Sequence, residues 1–150
     1  MDKAIGTVYE ISLRMLLLLE VAENAGMTAD MLAAIDFITV YGRDFDVSEE
    51  NLHGNGTYRF GEFTLRRELV WDALKPLVTQ GLSMVRAYNR GFVYTLSKTG
   101  IEYCSNFESD YADNYRISAE TAIKKYEGCP EREIIQMITR QTVQSLQRSL

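Results

Sequence analysis

The stretch Arg59 to Gly100, RFGEFTLRRELVWDALKPLVTQGLSMVRAYNRGFVYTLSKTG, decides the fold. It reads as one amphipathic helix followed by a β-hairpin. From Glu62 to Thr79, the residues Leu65, Leu69, Ala73, Leu77 and Val78 recur at the three- and four-residue spacing that places apolar groups on one helical face. Gln80-Gly81 ends that helix, with Gly81 as its left-handed cap. Beyond the cap, Leu82, Met84, Tyr88, Phe92, Tyr94 and Leu96 fall on alternate positions of two short runs. Asn89-Arg90-Gly91 joins the runs in a turn whose glycine can adopt positive φ. The pattern predicts a hairpin with one apolar face.

A helix, a Gly-Leu corner, a hairpin and then Leu96-Ser97-Lys98-Thr99-Gly100 opening another helix is the order of elements in a winged-helix domain. Upstream, Thr7 to Asn24 predicts a helix with Val8, Ile11, Met15, Leu18 and Leu19 on a wide apolar arc, ended by Ala25-Gly26. Thr28 caps a second helix, Ala29 to Tyr41, which turns Met31, Leu32, Ile35 and Ile38 inward and Asp30, Asp36 and Thr39 outward. The polar, acidic run Gly42 to Tyr58 reads as a loop of about 16 residues, a length that is uncommon in compact domains and often functional. Ser48 to Leu52 suits one helical turn inside it.

Downstream, Ser97 caps a long helix from Lys98 to about Glu127, striped by Phe107, Tyr111, Tyr115, Ala119, Ala122, Ile123 and Tyr126. Gly128-Cys129-Pro130 breaks it before a last helix, Glu131 to Leu150, with Ile134, Ile135, Met137, Ile138, Val143 and Leu146 near one face. These two C-terminal helices are the natural arm for a homodimer or a partner. The expected fold is mainly α with a small β-hairpin. It is a winged-helix-like domain over residues 1–150, with a core of about 7–100 and a C-terminal helical extension over 98–150.

At 150 residues the chain can bury about 68–70% of its unfolded surface, enough for a core without staples. Cys104 and Cys129 form no Cys-x-x-Cys pair, so neither a zinc site nor a redox motif is written here. The run Met15 to Leu19 is far shorter than the roughly 20 residues that span a bilayer. No signal cleavage site follows it, so the expectation is a soluble, cytoplasmic protein. Net charge is −5 but uneven: residues 1–58 carry −7, residues 59–98 carry +4 and residues 99–150 carry −2. A basic middle between acidic flanks attracts phosphate, an acidic partner or its own flanks.

The sequence holds few residues arranged for chemistry. His53 is the single histidine and sits in a loop, which excludes His-based metal clusters and most His-paired nucleophiles. Gly54-Asn55-Gly56 and Gly61 are not followed by Lys-Ser or Lys-Thr, so there is no Walker-type phosphate loop. Asp36, Asp44 and Asp46 do not supply the six oxygens a hard cation needs. The chain reads as a binding module, not an enzyme, and no cofactor is expected.

On a helical wheel the outward arc of the Glu62 to Gln80 helix carries Arg67, Glu68, Trp71, Asp72 and Lys75. Two acids on that arc would repel phosphate, and a tryptophan among mixed charges resembles a protein-protein hot spot more than a major-groove reader. Trp71 packed under the C-terminal helices is the competing reading. Arg66 falls within the apolar arc four residues after Glu62, the orientation of a helical ion pair, which suits a structural role rather than base reading, while Arg86 and Arg90 on the hairpin could reach backbone phosphate.

Particular residues carry a resemblance. Asp36-Phe37-Ile38, Tyr41-Gly42-Arg43-Asp44-Phe45, Asn51-Leu52-His53-Gly54, Tyr58-Arg59, Glu62, Arg66-Arg67, Leu74 to Leu82, Tyr94-Thr95-Leu96 and Gly100 together resemble the middle component of bacterial ABC-three-component systems, over residues 10–115. The resemblance implies a small, non-catalytic winged-helix adaptor between an ABC- or SMC-type ATPase and a third protein, in systems implicated in defence against phage and other invading DNA. On that reading Asp44, Phe45, His53, Arg67, Trp71 and Lys75 are the candidate partner-binding residues. Arg66, Arg86 and Arg90 are candidates for nucleic acid in the alternative reading, a DNA-binding transcriptional regulator.

Overall fold

A computed structural model describes residues 8–56, 59–89 and 91–148. In order along the chain these form α1 (Val8–Ala22), β1 (Met27–Thr28), α2 (Ala29–Val40), α3 (Phe63–Thr79), β2 (Ser83–Tyr88), β3 (Gly91–Leu96), α4 (Lys98–Cys104), α5 (Asp110–Lys125) and α6 (Glu131–Arg148). The result is a mainly helical protein with a small antiparallel sheet of order β1-β3-β2. The predicted roles of Thr7, Tyr58, Arg90 and Leu150 fall outside the described residues, as does that of the Leu146 side chain.

α1 and α2 form the centre, with α3 packed against both from one side and α5 from the other. Ten of the twelve residues of α2 are buried, so it is a core helix rather than an amphipathic one. Asp36 and Thr39, expected outside, are therefore inside, at 1% and 0% exposure. Thr39 satisfies its hydroxyl on the Ile35 carbonyl at 2.7 Å, and Asp36 recruits partners from three other helices. Thr28 caps α2 as expected, accepting from the Met31 amide at 3.1 Å, and also donates to Glu131 at the start of α6. Thr142 donates to the Phe60 carbonyl at 2.7 Å, while Ile134 and Ile138 are buried in the core, so α6 is tied down from Glu131 to Thr142.

Four expectations are corrected. The buried face of α3 is Phe63, Arg66, Val70, Ala73, Leu74 and Leu77, which leaves Leu65 exposed. Arg66, expected within the apolar arc, turns its guanidinium inward to Asp36 and Glu62 and is part of the buried face. The hairpin has no single apolar face. Its turn pairs Tyr88 with Gly91, so Met84 lies opposite Thr95, and Ala87, Val85 and Ser83 lie opposite Phe92, Tyr94 and Leu96. Opposed residues share a face, which puts Met84 and Tyr88 on the other side of the sheet from Phe92, Tyr94 and Leu96. The predicted long helix is two. Ser105 ends α4 and Ser109 caps α5 through the Ala112 amide at 3.1 Å. Arg116 holds the break, donating to the Cys104 and Phe107 carbonyls at 2.9 Å each. Within the 42–56 loop, Gly42–Phe45 forms the helical turn and Ser48–Glu50 only bends.

The corner between α3 and the hairpin follows from two glycines. Gly81, at φ +77°, takes the left-handed turn that ends α3. Gly100 lets α4 press against the same corner: a Cβ there would stand 2.1 Å from the Leu82 carbonyl oxygen. Ser97 locks the approach, its amide donating to Leu82 at 3.1 Å and its hydroxyl to Gly81 at 2.5 Å. Gly100→Ala is expected to destabilise the protein by about 1–3 kcal/mol through overpacking. Gly61→Ala, where a Cβ meets nothing within 4 Å, should stay within about 0.5 kcal/mol of wild type in the same urea titration.

Candidate functional site

Four helices converge on one carboxylate. Asp36 of α2 accepts a fork from Arg14 of α1, at 2.9 and 3.4 Å. It also accepts from Arg66 of α3 at 3.2 Å and from the Tyr115 hydroxyl of α5 at 2.7 Å. Arg66 is bound again by Glu62 at 3.0 Å, and Glu62 accepts from Tyr41 at 2.8 Å. Two guanidiniums thus meet two carboxylates, and the buried charge is balanced. Burial by itself would raise the pKa of Asp36, but the charges of Arg14 and Arg66 and the bonds from Arg14 and Tyr115 outweigh it and hold it at about 2. Tyr115, buried beside that charge, is pushed well above the ordinary phenol range.

His53 extends the network to the surface. Its Nδ1 lies 3.3 Å from Arg66 Nη2 and its Nε2 2.7 Å from the Tyr111 hydroxyl. A guanidinium only donates, so Nδ1 accepts and Nε2 carries the hydrogen that points at Tyr111. The imidazole ties the 42–56 loop to α5. Burial pushes Tyr111 up to about 12 against the pull of Arg14. Beside this chain of contacts a cleft of 740 Å³ opens, with Leu13, Leu17, Leu52 and Phe107 on its apolar walls and Arg14, His53 and Tyr111 at its polar side. The interruption between α4 and α5 forms one rim, through Asn106, Glu108 and Ser109.

The sequence candidates divide by accessibility. Trp71 is 43% exposed on the outer face of α3. Glu68, Asp72 and Lys75 are exposed around it, and Arg67, half-buried over the Phe63 ring, pairs with Asp30 at 3.2 Å. Arg86 is exposed on β2, and Arg90 lies outside the described residues. Two candidates are corrected. Arg66, at 0% exposure, is enclosed by Asp36, Glu62 and His53 and cannot touch nucleic acid. Phe45, at 3% exposure, packs edge-on against Phe37 and Phe60 because the loop folds it into the core. Asp44 is only partly open, forked by Arg59 at 2.6 and 2.9 Å. Among the described residues no group of His, Cys, Asp and Glu is placed to hold a metal ion, and no helix is long and apolar enough to cross a membrane.

The sequence reading missed Arg14 and Tyr115. A signal for Arg14 existed: a lone arginine ahead of Met15 to Leu19 and a lone aspartate amid Ala33 to Ile38 are opposite charges on two apolar helices, which invites a buried pair.

The family model for the ABC-three component (ABC-3C) system Middle Component 2 matches residues 4–148. The chain belongs to that family. The match extends beyond the 10–115 resemblance and takes in α6, so the C-terminal helix is part of the Middle Component 2 unit. Comparison with curated proteins and with solved structures finds no match to the chain. Membership in a system of several components implies protein partners for this middle component.

Removing the central charge should unbalance two buried guanidiniums. Asp36→Ala is expected to cost about 3–5 kcal/mol in denaturant unfolding, the range for breaking one partner of a buried pair. The sign with pH follows from the depressed pKa. The Asp36 contribution is complete above its ordinary value of 3.8 and is lost as pH falls toward 2. An acid titration followed by circular dichroism should therefore show stability falling over that window.

Proposed function

We propose that this protein is a non-catalytic, winged-helix adaptor that links an ABC- or SMC-type ATPase to an effector, in a bacterial system defending against phage or other invading DNA. The observation that carries the reading is Trp71. A tryptophan left 43% exposed at the centre of a helical face, between Arg67, Glu68, Asp72 and Lys75, suits the centre of a protein interface with a charged rim. Family membership in a three-component system supplies the context in which such a face has a partner.

The same face argues against duplex DNA as the main ligand. Glu68 and Asp72 would face phosphate, and Arg66 is spent on the core. The hairpin carries Arg86 and, outside the described residues, Arg90, and two cations beside two acids sustain little of the salt-dependent affinity that phosphate contacts provide.

The test is affinity purification of the tagged protein at natural expression from its native host, with nuclease treatment and mass spectrometry of the bound chains. An ATPase and a third chain retained after nuclease support the adaptor. Elution alone or with DNA only rejects it. Trp71→Ala combined with Lys75→Glu is expected to weaken partner capture at least about tenfold, as for loss of an interface hot spot, with unchanged helical circular dichroism. Capture at the wild-type level by that variant would remove α3 from the interface.

A further inference from the structure

The cleft between α1, the 42–56 loop and the α4–α5 break takes none of its lining from α3. Leu13 and Leu17 of α1, Leu52 of the loop and Phe107 of the break form its apolar walls. At 740 Å³ it falls within the range of about 300–1,000 Å³ that small-molecule sites occupy. Its polar side is held in place by packing. The Tyr111 ring stacks on His53 at 6.0 Å and on Tyr115 at 6.3 Å between centroids, and Tyr115 is itself fixed to Asp36 at 2.7 Å. Phe107 packs edge-on against Tyr103 at 5.2 Å, while Arg116 holds its carbonyl at 2.9 Å.

The hydrogen bonds on that side leave one donor over. Arg66 donates to Nδ1 of His53, so the Nε2 hydrogen goes to the Tyr111 oxygen at 2.7 Å. A hydroxyl that accepts from His53 sends its own hydrogen elsewhere, and among the described residues none accepts it. Arg14 stands near the same hydroxyl, where its charge pulls the Tyr111 pKa down against burial, and a guanidinium adds donors only. The carboxylates of the network, Asp36 and Glu62, are already engaged by Arg14, Arg66, Tyr115 and Tyr41. An anion in the cleft would meet two exposed carboxylates of the lining, Glu10 and Glu108, while the single lining cation, Arg14, is paired with Asp36.

We propose that the cleft binds a small, uncharged molecule with a mainly apolar body and one carbonyl-type oxygen, which accepts the leftover hydrogen of Tyr111. The walls select the body, the spare donor selects the oxygen, and the two carboxylates select against negative charge. A molecule without an acceptor would leave the Tyr111 hydrogen unsatisfied in a site it had emptied of water, which is how a polar group discriminates most sharply. The inference goes beyond the adaptor reading and does not depend on Trp71.

The experiment uses the full chain and three fluorescent probes built on dimethylaminonaphthalene: the propionyl ketone (Prodan), the parent amine without a carbonyl, and the amine with a carboxylate in place of the ketone. Titration of the wild type should show saturable binding of the ketone, with the parent amine and the carboxylate each weaker by about threefold or more. Tyr111→Phe keeps the ring and removes the hydrogen. It is expected to weaken the ketone by about three- to tenfold and to leave the parent amine unchanged, a difference that a general loosening of the fold would not produce. Leu13→Trp, which fills the cleft from a half-buried position, should abolish binding of the ketone with unchanged circular dichroism. If that variant does not fold, the Tyr111→Phe comparison decides by itself. The proposal is overturned if the wild type does not bind the ketone saturably, if the carboxylate binds as tightly as the ketone, or if Tyr111→Phe binds the ketone like the wild type. It also falls if folded Leu13→Trp keeps wild-type binding, which would put the probe outside the cleft.

Discussion

The carboxylate of Asp36 has no water to solvate it, and the arrangement of the helices follows from how it is satisfied instead. Arg14 reaches it from α1, Arg66 from α3 and Tyr115 from α5. Each of those groups is itself buried, so none can be withdrawn without stranding another. Such a network adds little net stability compared with an apolar core of the same volume, because desolvating the ions offsets most of their attraction. Its consequence is orientation. Apolar helices can slide or rotate against one another at small cost, whereas a fork from Arg14 and a second guanidinium from Arg66 meet Asp36 at only one rotation of α1 and α3.

That constraint shapes the outer surface as well. Turning Arg66 inward fixes the opposite side of α3, and the residues presented there are Trp71 and Lys75 with the two acids. Glu62 and His53 extend the network toward the loop, where His53 meets Tyr111 at the wall of the 740 Å³ cleft. The loop is thus an ordered part of the structure, tied by Asp44 to Arg59 and by Phe45 to the aromatic cluster around Phe37. Of the elements that carry the family resemblance, Phe45 is held inside by this packing, while Leu52 and His53 are half-buried at the wall of the cleft.

The hairpin obeys a separate rule. It is anchored at its base, where Tyr94 and Leu96 enter the core and Ser97 and Gly100 clamp the Leu82 corner. Its outer half, with Met84, Val85, Tyr88 and Phe92 exposed, projects on both faces. Apolar exposure on both faces of an unprotected edge strand is a cost to an isolated chain.

Local signals in the sequence determined α1, α2, α3, α6 and the two hairpin strands with most of their ends, but not β1 or the division between α4 and α5. Thr28, Ser97 and Gly81 act where they stand, through hydrogen bonds or φ values within a few residues. The outward arc around Trp71 was legible because helical periodicity alone places it. The tertiary structure decided everything that depends on long-range pairing: that Asp36 is inside, that Arg66 belongs to the core and not to a nucleic-acid surface, that Phe45 packs among aromatics, and that the α4–α5 break is held by Arg116. The partners that decide Asp36 lie far along the chain, Arg66 at 30 positions and Tyr115 at 79. Periodicity counts a charge as outward-facing because water is the default partner of a charge. Only the assembled fold supplies the opposite charges that make the interior equally acceptable.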